Sequence, residues 1–340
     1  MLAYAYGQWR LGKRCPGRNP EPWPRVSVVV PLRNEESQVA ALVQKLLAQD
    51  YPDYECILVD DHSTDRTLAG LQACRALDAR IRILVAEGNG KKSALLTGVK
   101  AARGEYVITT DADCRMEATW LCSMVRTAWD QKADLVIGPV RMEGKPLPAL
   151  EYLSLSAVTA GSAGIGHPLL CSGANLLVGR ETWLRAADRL EWKEAGGDDQ
   201  FLLGALKVSK ARVAYAYTRD ALVRTTSPDT IGGFLSQRAR WAGKSRRYKD
   251  PEMVGAALMV LLTQLVLLVA LGWAWVDPYV GGWWLAAALS NMVVLWPAAR
   301  FFRQERLLCW FPVAQLLYPF YVLAVLVRLL VPNQWKDRTI

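Results

Sequence analysis

Apolar positions follow two alternating spacings in the first part of the chain. Residues 26–30 are a short β-branched run closed by Pro31, and residues 56–59, 81–85 and 106–110 repeat that strand pattern. Between these runs, apolar residues recur at helical spacing. Val39, Leu42, Val43, Leu46 and Leu47 do so within 36–49, Thr67, Leu71 and Cys74 within 64–77, and a further helix is predicted over 93–102. Strand–helix–strand repeats with short loops predict an α/β domain, a mostly parallel sheet with helices on both faces. Ligands of such sheets bind beyond the carboxyl ends of the strands. The acidic clusters of this chain fall at those ends.

The pattern changes after Glu252. Residues 253–276 are almost uninterrupted apolar sequence, 280–299 form a second run, and 308–331 form a third that Pro312, Pro319 and Arg328 interrupt. Runs of about 20 apolar residues are long enough to span a bilayer. Two transmembrane helices are expected, and the third run either spans or dips in and returns. The connector Asp277-Pro-Tyr-Val-Gly-Gly282 carries no Lys or Arg, whereas Arg300, Arg303 and Arg306 follow the second run. The positive-inside rule then sets the α/β domain and the Arg loop on the cytoplasmic side, as expected of a multi-pass protein of the inner cell membrane.

Residues 1–24 hold no run long enough to span. Residues 2–7 fit either the end of an anchor or a short interfacial segment. Arg10, Lys13, Arg14 and Arg18, with Pro16, Pro20, Pro22 and Pro24, then make a basic, stiff linker, and no signal-peptide pattern is present. The expected organisation is therefore a basic, Pro-rich segment at 1–24, the α/β domain at 25–236, an interfacial amphipathic segment at 237–250, a membrane region at 253–331 and a tail at 332–340.

The net charge of the 340 residues is +9, concentrated just before the apolar region from Lys207 to Lys249. A basic juxtamembrane zone suits anionic lipid headgroups. Nucleic acid is not an expected partner, because no helix-turn-helix, zinc or aromatic-platform signature accompanies the charge. The seven cysteines are odd in number and lack zinc spacing, which predicts reduced, structural thiols.

Four polar constellations carry candidate chemistry. Asp60-Asp61, at the end of the second strand, offers carboxylates that can accept the imide N–H of a pyrimidine base or cap the following helix. Asp111-Ala-Asp113 puts two carboxylates at i and i+2 after a strand, where they can converge on one magnesium or manganese ion that also binds ligand phosphates. Gly196-Gly-Asp-Asp199 precedes an apolar helix. Its acids suit the helix dipole, and one of them can serve as a base toward an acceptor hydroxyl. Gln237-Arg-Ala-Arg-Trp241 sets Gln237, Arg240 and Trp241 on one side of a helix. There an Arg can grip a diphosphate, or the helix can lie on lipid. Arg238 is offset around that helix and is expected to tolerate Lys.

Taken in order, these motifs resemble the family 2 glycosyltransferases of GT-A fold, in particular the membrane-integrated bacterial branch similar to cellulose synthase, hyaluronan synthase and ceramide glucosyltransferase. The resemblance covers about residues 25–248. It runs through Val28-Val-Val-Pro-Leu-Arg-Asn-Glu-Glu36, Val59-Asp-Asp-His-Ser-Thr-Asp65, Gly90-Lys-Lys-Ser-Ala-Leu95, Asp111-Ala-Asp113, Cys171-Ser-Gly-Ala-Asn175, Gly197-Asp-Asp199 and Gln237-Arg-Ala-Arg-Trp241.

It implies a GT-A nucleotide-diphospho-sugar transferase domain followed by transmembrane helices. The implied enzyme is an inverting, metal-dependent hexosyl- or N-acetylhexosaminyl-transferase of cell-envelope polysaccharide or glycolipid synthesis. It implies donor binding by Pro31, Asn34, Glu35, Asp60, Asp61, Lys91, Asp111 and Arg240. Asp113 and Asp111 would hold the metal, Mg2+ or Mn2+, and Asp199 would be the base. Gly173, Asn175, Asp198, Gln237 and Trp241 would face the acceptor. The implied partners are a nucleotide-diphosphate sugar, a UDP-sugar first among them, a lipid or lipid-linked acceptor, and the membrane. Ala174 stands where the family commonly has Thr, and the base pair is Asp-Asp rather than Glu-Asp, departures that bear on the acceptor. Three other readings share parts of the pattern. A sugar-phosphate nucleotidyltransferase would need a Gly-rich N-terminal loop that Pro31-Leu-Arg-Asn-Glu35 does not resemble. The others are a processive polysaccharide synthase subunit and a catalytically inactive, membrane-bound nucleotide-sugar-binding scaffold.

Overall fold

The computed structural model describes residues 1–14, 17–76, 78–187, 197–248, 250–273, 279–331, 334–335 and 338–339. Cys15, Pro16, Leu77, Gly196, Lys249 and residues 274–278, where the first predicted span ends and the connector begins at Asp277, lie outside them, as does part of the tail.

Along the chain the elements run α1 (Leu2–Gly12), β1 (Val26–Leu32), α2 (Val39–Leu47), β2 (Tyr54–Asp60), α3 (Thr67–Arg75), β3 (Ile81–Val85), α4 (Lys91–Ala101), β4 (Tyr106–Thr109), β5 (Arg115–Met116), α5 (Trp120–Gln131), β6 (Leu135–Ile137), β7 (Val140–Glu143) and α6 (Pro146–Gly164). They continue with β8 (Leu176–Gly179), α7 (Arg180–Ala187), α8 (Asp198–Val208), β9 (Val213–Tyr215), β10 (Val223–Thr226), α9 (Ile231–Gly243), α10 (Pro251–Trp273), α11 (Tyr279–Phe302), α12 (Phe311–Arg328), β11 (Gln334–Trp335) and β12 (Arg338–Thr339). The chain forms two compact units that interleave. One comprises Lys13–Val140 and Cys171–Thr226, the other Met1–Gly12, Arg141–Leu170 and Ser227–Ile340. The linear division expected at 25–236 thus differs from the packing, because α6 joins the C-terminal helices rather than the sheet that precedes it in sequence.

The first unit holds a seven-stranded sheet in the order β3-β2-β1-β4-β8-β6-β9. β1 pairs in parallel with both β2 and β4, so the strand order reverses on either side of β1. That reversal opens a crevice at the carboxyl ends of the strands. β8 runs antiparallel to β4 and β6, so the sheet is mixed on one side. Val26, Val28, Val29 and Val30 are fully buried, as a strand covered on both faces requires. Pro31 does not close β1. The strand continues to Leu32, and Pro31 stands opposite Val59. β4 pairs with β1 only as far as Val29, so the missing N–H of Pro31 costs the sheet no bond on that side. α2 and α3 bury the predicted faces, Val39, Leu42, Val43 and Leu46 in one and Thr67, Leu71 and Cys74 in the other.

The second unit is helical. α10, α11 and the segment Glu305–Arg328 are three helices long and apolar enough to cross a membrane, with mean hydropathies of 2.6, 1.4 and 1.7. They fit membrane association. Pro312 and Pro319 do not break the third segment: Pro312 lies in the first turn of α12, where no N–H is needed, and the helix passes through Pro319. α1 packs on α6 and α11, and the buried amide of Gln8 donates to the carbonyls of Ala157 and Val294 at 3.2 and 3.1 Å. A Cβ on Gly7 would lie 2.0 Å from the carbonyl oxygen of Gly161, and one on Gly164 would lie 2.2 Å from that of Gly7, so α1 and α6 approach this closely only because Gly7 and Gly164 are glycine.

Candidate active site

The loops after β1 and β2 are laced together. Asn34 and His62 both adopt left-handed backbone conformations, with φ of 50° and 53°. Such geometry is uncommon outside glycine and persists where neighbours hold it. Here Asn34 Oδ1 accepts from the Thr64 N–H at 2.8 Å, Ser63 Oγ accepts from the Asn34 N–H at 3.0 Å, and Thr67 Oγ1 accepts from the Glu35 N–H at 2.7 Å. The buried guanidinium of Arg33 donates to the carbonyls of Asp61 and His62 at 2.8 and 3.0 Å. Arg33 thus ties the two loops together; it stands inside the Val28–Glu36 motif, but its partners lie 28 and 29 residues away and nothing local marks the contact.

Asp60 and Asp61 are buried and do not cap α3. The N–H of Thr67, the first residue of α3, instead meets Asp65, whose Oδ1 accepts it at 2.9 Å. Asp60 Oδ2 accepts from the Ser63 N–H at 3.1 Å, within its own loop. Asp61 Oδ1 reaches across to the N–H of Gly90, 2.8 Å away. Gly90 precedes the first turn of α4 with φ 93°, a conformation that favours glycine. The helix therefore starts at Lys91 rather than at Ser93, and Lys91 stands on its first turn.

The two adjacent lysines divide their roles. Lys92 is buried with its ammonium 4.5 Å from the Phe201 ring centre. Lys91 turns toward acids, with Nζ 2.6 Å from Asp111 Oδ1. Burial works against the Lys91 charge, but Asp111, Asp198 and Asp199 outweigh it and raise its pKa above the ordinary lysine value. Asp113 is pushed up from the usual carboxylate range, first by the protein packed around it and then by the like charge of Asp111. Thr225 of β10 steadies it, its hydroxyl donating to Asp113 Oδ2 at 2.9 Å. Nothing near Asp113 in sequence marks Thr225, which lies 112 residues away.

Asp198 and Asp199 open α8 after Gly197. Asp199 Oδ2 accepts from the Gly173 N–H at 3.0 Å, and Oδ1 from the Gln200 N–H at 2.8 Å. A Cβ on Gly173 would lie 3.2 Å from Asp198 Oδ2 and 3.5 Å from Lys91 Nζ, so Gly173 sits among the acids and the lysine. Cys171 beside them has its thiol pKa pushed well up by burial and then by Asp199 and Asp198, which leaves it a poor nucleophile.

Asn175, expected among the acceptor-binding residues, is turned into the protein interior. It is fully buried, its Nδ2 donates to the carbonyls of Pro139 and Ala221 at 2.9 and 2.8 Å, and its Oδ1 accepts from Trp120 Nε1 at 2.9 Å. Its donors are both used inside the protein. It braces the loop that carries Gly173.

Gln237, Arg240 and Trp241 lie on α9, in the other unit. Arg240 is half-buried. Trp241 meets Tyr152 edge-on, with ring centres 6.3 Å apart. Gln237 Oε1 accepts from the Arg238 guanidinium. Arg238, expected to be an offset and tolerant position, is instead buried and ion-paired with Glu151 at 2.6 Å. The reason is that α9 turns Phe234, Arg238 and Trp241 inward, toward α6 and α12, rather than toward solvent.

Residues 27–157, which contain β1 to β4, Asp61, Lys91 and the Asp111–Asp113 turn, match the family model described as Glycosyl transferase family 2. These residues are a glycosyltransferase family 2 domain. An N-acetylglucosaminyltransferase of Mesorhizobium japonicum is 25% identical over 244 residues, 67% of this chain and 57% of that protein. Its counterpart in Rhizobium meliloti is 26% identical over 243 residues, 66% of this chain and 57% of that protein. The chain thus spans less than two thirds of the length of these relatives. The structure of the mannosyltransferase PcManGT from Pyrobaculum calidifontis, in complex with GDP-Man and Mn2+, matches 99% of this chain and 95% of that one, with a TM-score of 0.61 and 20% identity. The family 2 domain therefore has the GT-A type of fold.

Proposed function

We propose that the protein is an inverting glycosyltransferase that moves a sugar from a nucleotide-diphosphate donor to a lipid or lipid-linked saccharide at the cytoplasmic face of the inner membrane. The observation that carries this reading is the gathering of Lys91, Asp198 and Asp199 around Gly173, with Asp111 paired to Lys91, in a family 2 domain. In this reading Asp199 takes the proton of the acceptor hydroxyl. The freed oxygen attacks the anomeric carbon, and the bond to the diphosphate breaks on the opposite face, the electron pair leaving with the diphosphate. Lys91 stabilises that developing negative charge. Asp60 and Asp61 line the nucleoside end, and Arg240 holds the diphosphate.

Asp111 and Asp113 fit a divalent ion of the magnesium or manganese class. They supply hard oxygen donors on one turn, the donor type of an ion that completes its shell with ligand phosphates. When bound, such an ion neutralises the diphosphate. The solved mannosyltransferase, a complex with GDP-Man and Mn2+, supports this assignment. The N-acetylglucosaminyltransferases among the relatives favour N-acetylglucosamine as the sugar, and the family resemblance favours a UDP-linked donor. The three apolar helices support a lipid or lipid-linked acceptor. Arg300, Arg303 and Arg306 support the cytoplasmic orientation through the positive-inside rule.

The test is to incubate the detergent-purified protein with UDP- and GDP-sugars and extracted membrane lipids, and to analyse the products by mass spectrometry. A new glycolipid of inverted anomeric configuration is expected. Nucleotide-sugar binding without product from any pairing would favour an inactive scaffold instead. Full turnover in excess chelator would remove the metal from the reading.

A further inference from the structure

A buried ion pair lies beneath the Gln237–Trp241 segment. Arg238 Nε stands 3.1 and 3.0 Å from the two carboxylate oxygens of Glu151, and Nη2 stands 2.6 Å from Oε2. The Tyr321 hydroxyl donates to Glu151 Oε1 at 3.1 Å. The guanidinium lies 4.3 Å from the Trp241 ring centre and 4.6 Å from that of Phe234, and Phe234 in turn stacks on Tyr321 at 5.6 Å. The side chains of Arg238 and Glu151 are 3% and 11% exposed, so both charges are withdrawn from water. Burial works against the Arg238 charge, and Glu151 outweighs it.

Such a pair is a poor source of stability. Desolvating two charges is costly, and apolar side chains of similar volume often serve the fold as well or better. What the pair supplies is geometry. A planar fork on a carboxylate admits one orientation, whereas apolar packing admits several. The same guanidinium donates to Gln237 Oε1 and lies against Trp241, so it touches two residues of the Gln237, Arg240, Trp241 set. Glu151 belongs to α6 and Tyr321 to α12, so the clamp ties α9 to both helices.

We infer that Arg238 is a positioning residue: gripped by Glu151, it sets the register of α9 and thereby the orientation of Gln237, Arg240 and Trp241. This rests on the reading that those residues serve glycosyl transfer. It separates Arg238 from Arg240, the first acting through its neighbours and the second on the donor.

The test uses the full chain in detergent, with UDP-N-acetylglucosamine and extracted membrane lipids. The variants are Arg238→Lys, the apolar double Arg238→Met with Glu151→Leu, and Arg240→Lys. Four quantities are read: kcat, donor KM, the melting temperature, and amide hydrogen exchange over residues 231–243. The apolar double should keep its melting temperature within a few degrees while kcat falls about tenfold or more, because a small misplacement of reacting groups costs rate. Donor KM should move less than about threefold, and exchange should quicken in α9 alone. Arg238→Lys should show the same pattern. An apolar double with unchanged kcat and α9 exchange would overturn the inference. So would a loss of activity matched by a lowered melting temperature and faster exchange throughout, the mark of a merely structural role. Arg240→Lys distinguishes the two levels. If it leaves turnover unchanged, the functional reading of α9 fails. If it costs turnover while the apolar double does not, only the positioning inference fails.

Discussion

The backbone N–H of Gly173 donates to the Asp199 carboxylate at 3.0 Å, and a Cβ at Gly173 would lie 3.2 Å from Asp198 Oδ2. The proposed base is thus held by a residue with little room for a side chain. Alanine would press on a carboxylate that can yield by a few tenths of an ångström. Valine would add two methyls among Asp198, Asp199 and Lys91. Gly173→Val is expected to lower turnover by about tenfold or more while the melting temperature shifts by only a few degrees. Equal turnover in the Val variant would show that reacting groups do not converge at this loop.

Asp199→Asn keeps the shape of the side chain, and its remaining carbonyl oxygen can still accept from Gly173. Proton acceptance is lost. Turnover should fall by about 10²–10⁴-fold, the range of general-base catalysis, with nucleotide-sugar affinity changed little. Titration calorimetry beside the turnover assay separates the two. Normal turnover would remove Asp199 as the base, and abolished nucleotide binding would move it to the donor side.

Asn175→Ala bears on stability rather than on the acceptor. It strips partners from the Trp120 indole N–H and from the carbonyls of Pro139 and Ala221, all in the protein interior. The cost is on the order of 3 kcal/mol, since a buried polar group left unpaired costs about 1–3 kcal/mol. Denaturant unfolding should show this loss, with acceptor KM unchanged in the folded fraction. A raised acceptor KM without destabilisation would return Asn175 to the acceptor site.

Glu55 gives the sheet a defined response to acid. Burial alone would raise its pKa, but the Arg82 guanidinium, the Ser27 hydroxyl and the Arg103 N–H outweigh burial and hold it below the ordinary glutamate value. A carboxylate depressed in the folded state contributes stability above its unfolded pKa of about 4.3, and that contribution is lost as pH falls through the lower folded value. Glu55→Gln should therefore destabilise the protein at neutral pH by on the order of 1–3 kcal/mol. The gap to wild type should close as the pH drops below about 4. Melting curves across that range check it, and a gap constant with pH would contradict the assignment.

The sequence by itself determined the features that depend on near neighbours. Apolar runs and helical spacing located β1 to β4, the buried faces of α2 and α3 and the three apolar C-terminal segments, because burial acts on side chains a few residues apart. Strand-end and helix-start positions also singled out Asp61, Asp111, Asp113 and Asp199, and the family resemblance added Lys91. Tertiary structure alone decided the antiparallel insertion of β8, for a short apolar run carries no direction. It also decided the role of Asn175, a polar residue whose partners come from three separate segments. Arg238 shows the limit most clearly. Its helix phase relative to Arg240 could be read from spacing, but which face turns inward depended on Glu151, 87 residues earlier, and on Tyr321 in α12. Contacts at that separation form only when the chain has folded, and a buried charge is satisfied by whichever partner the fold brings to it.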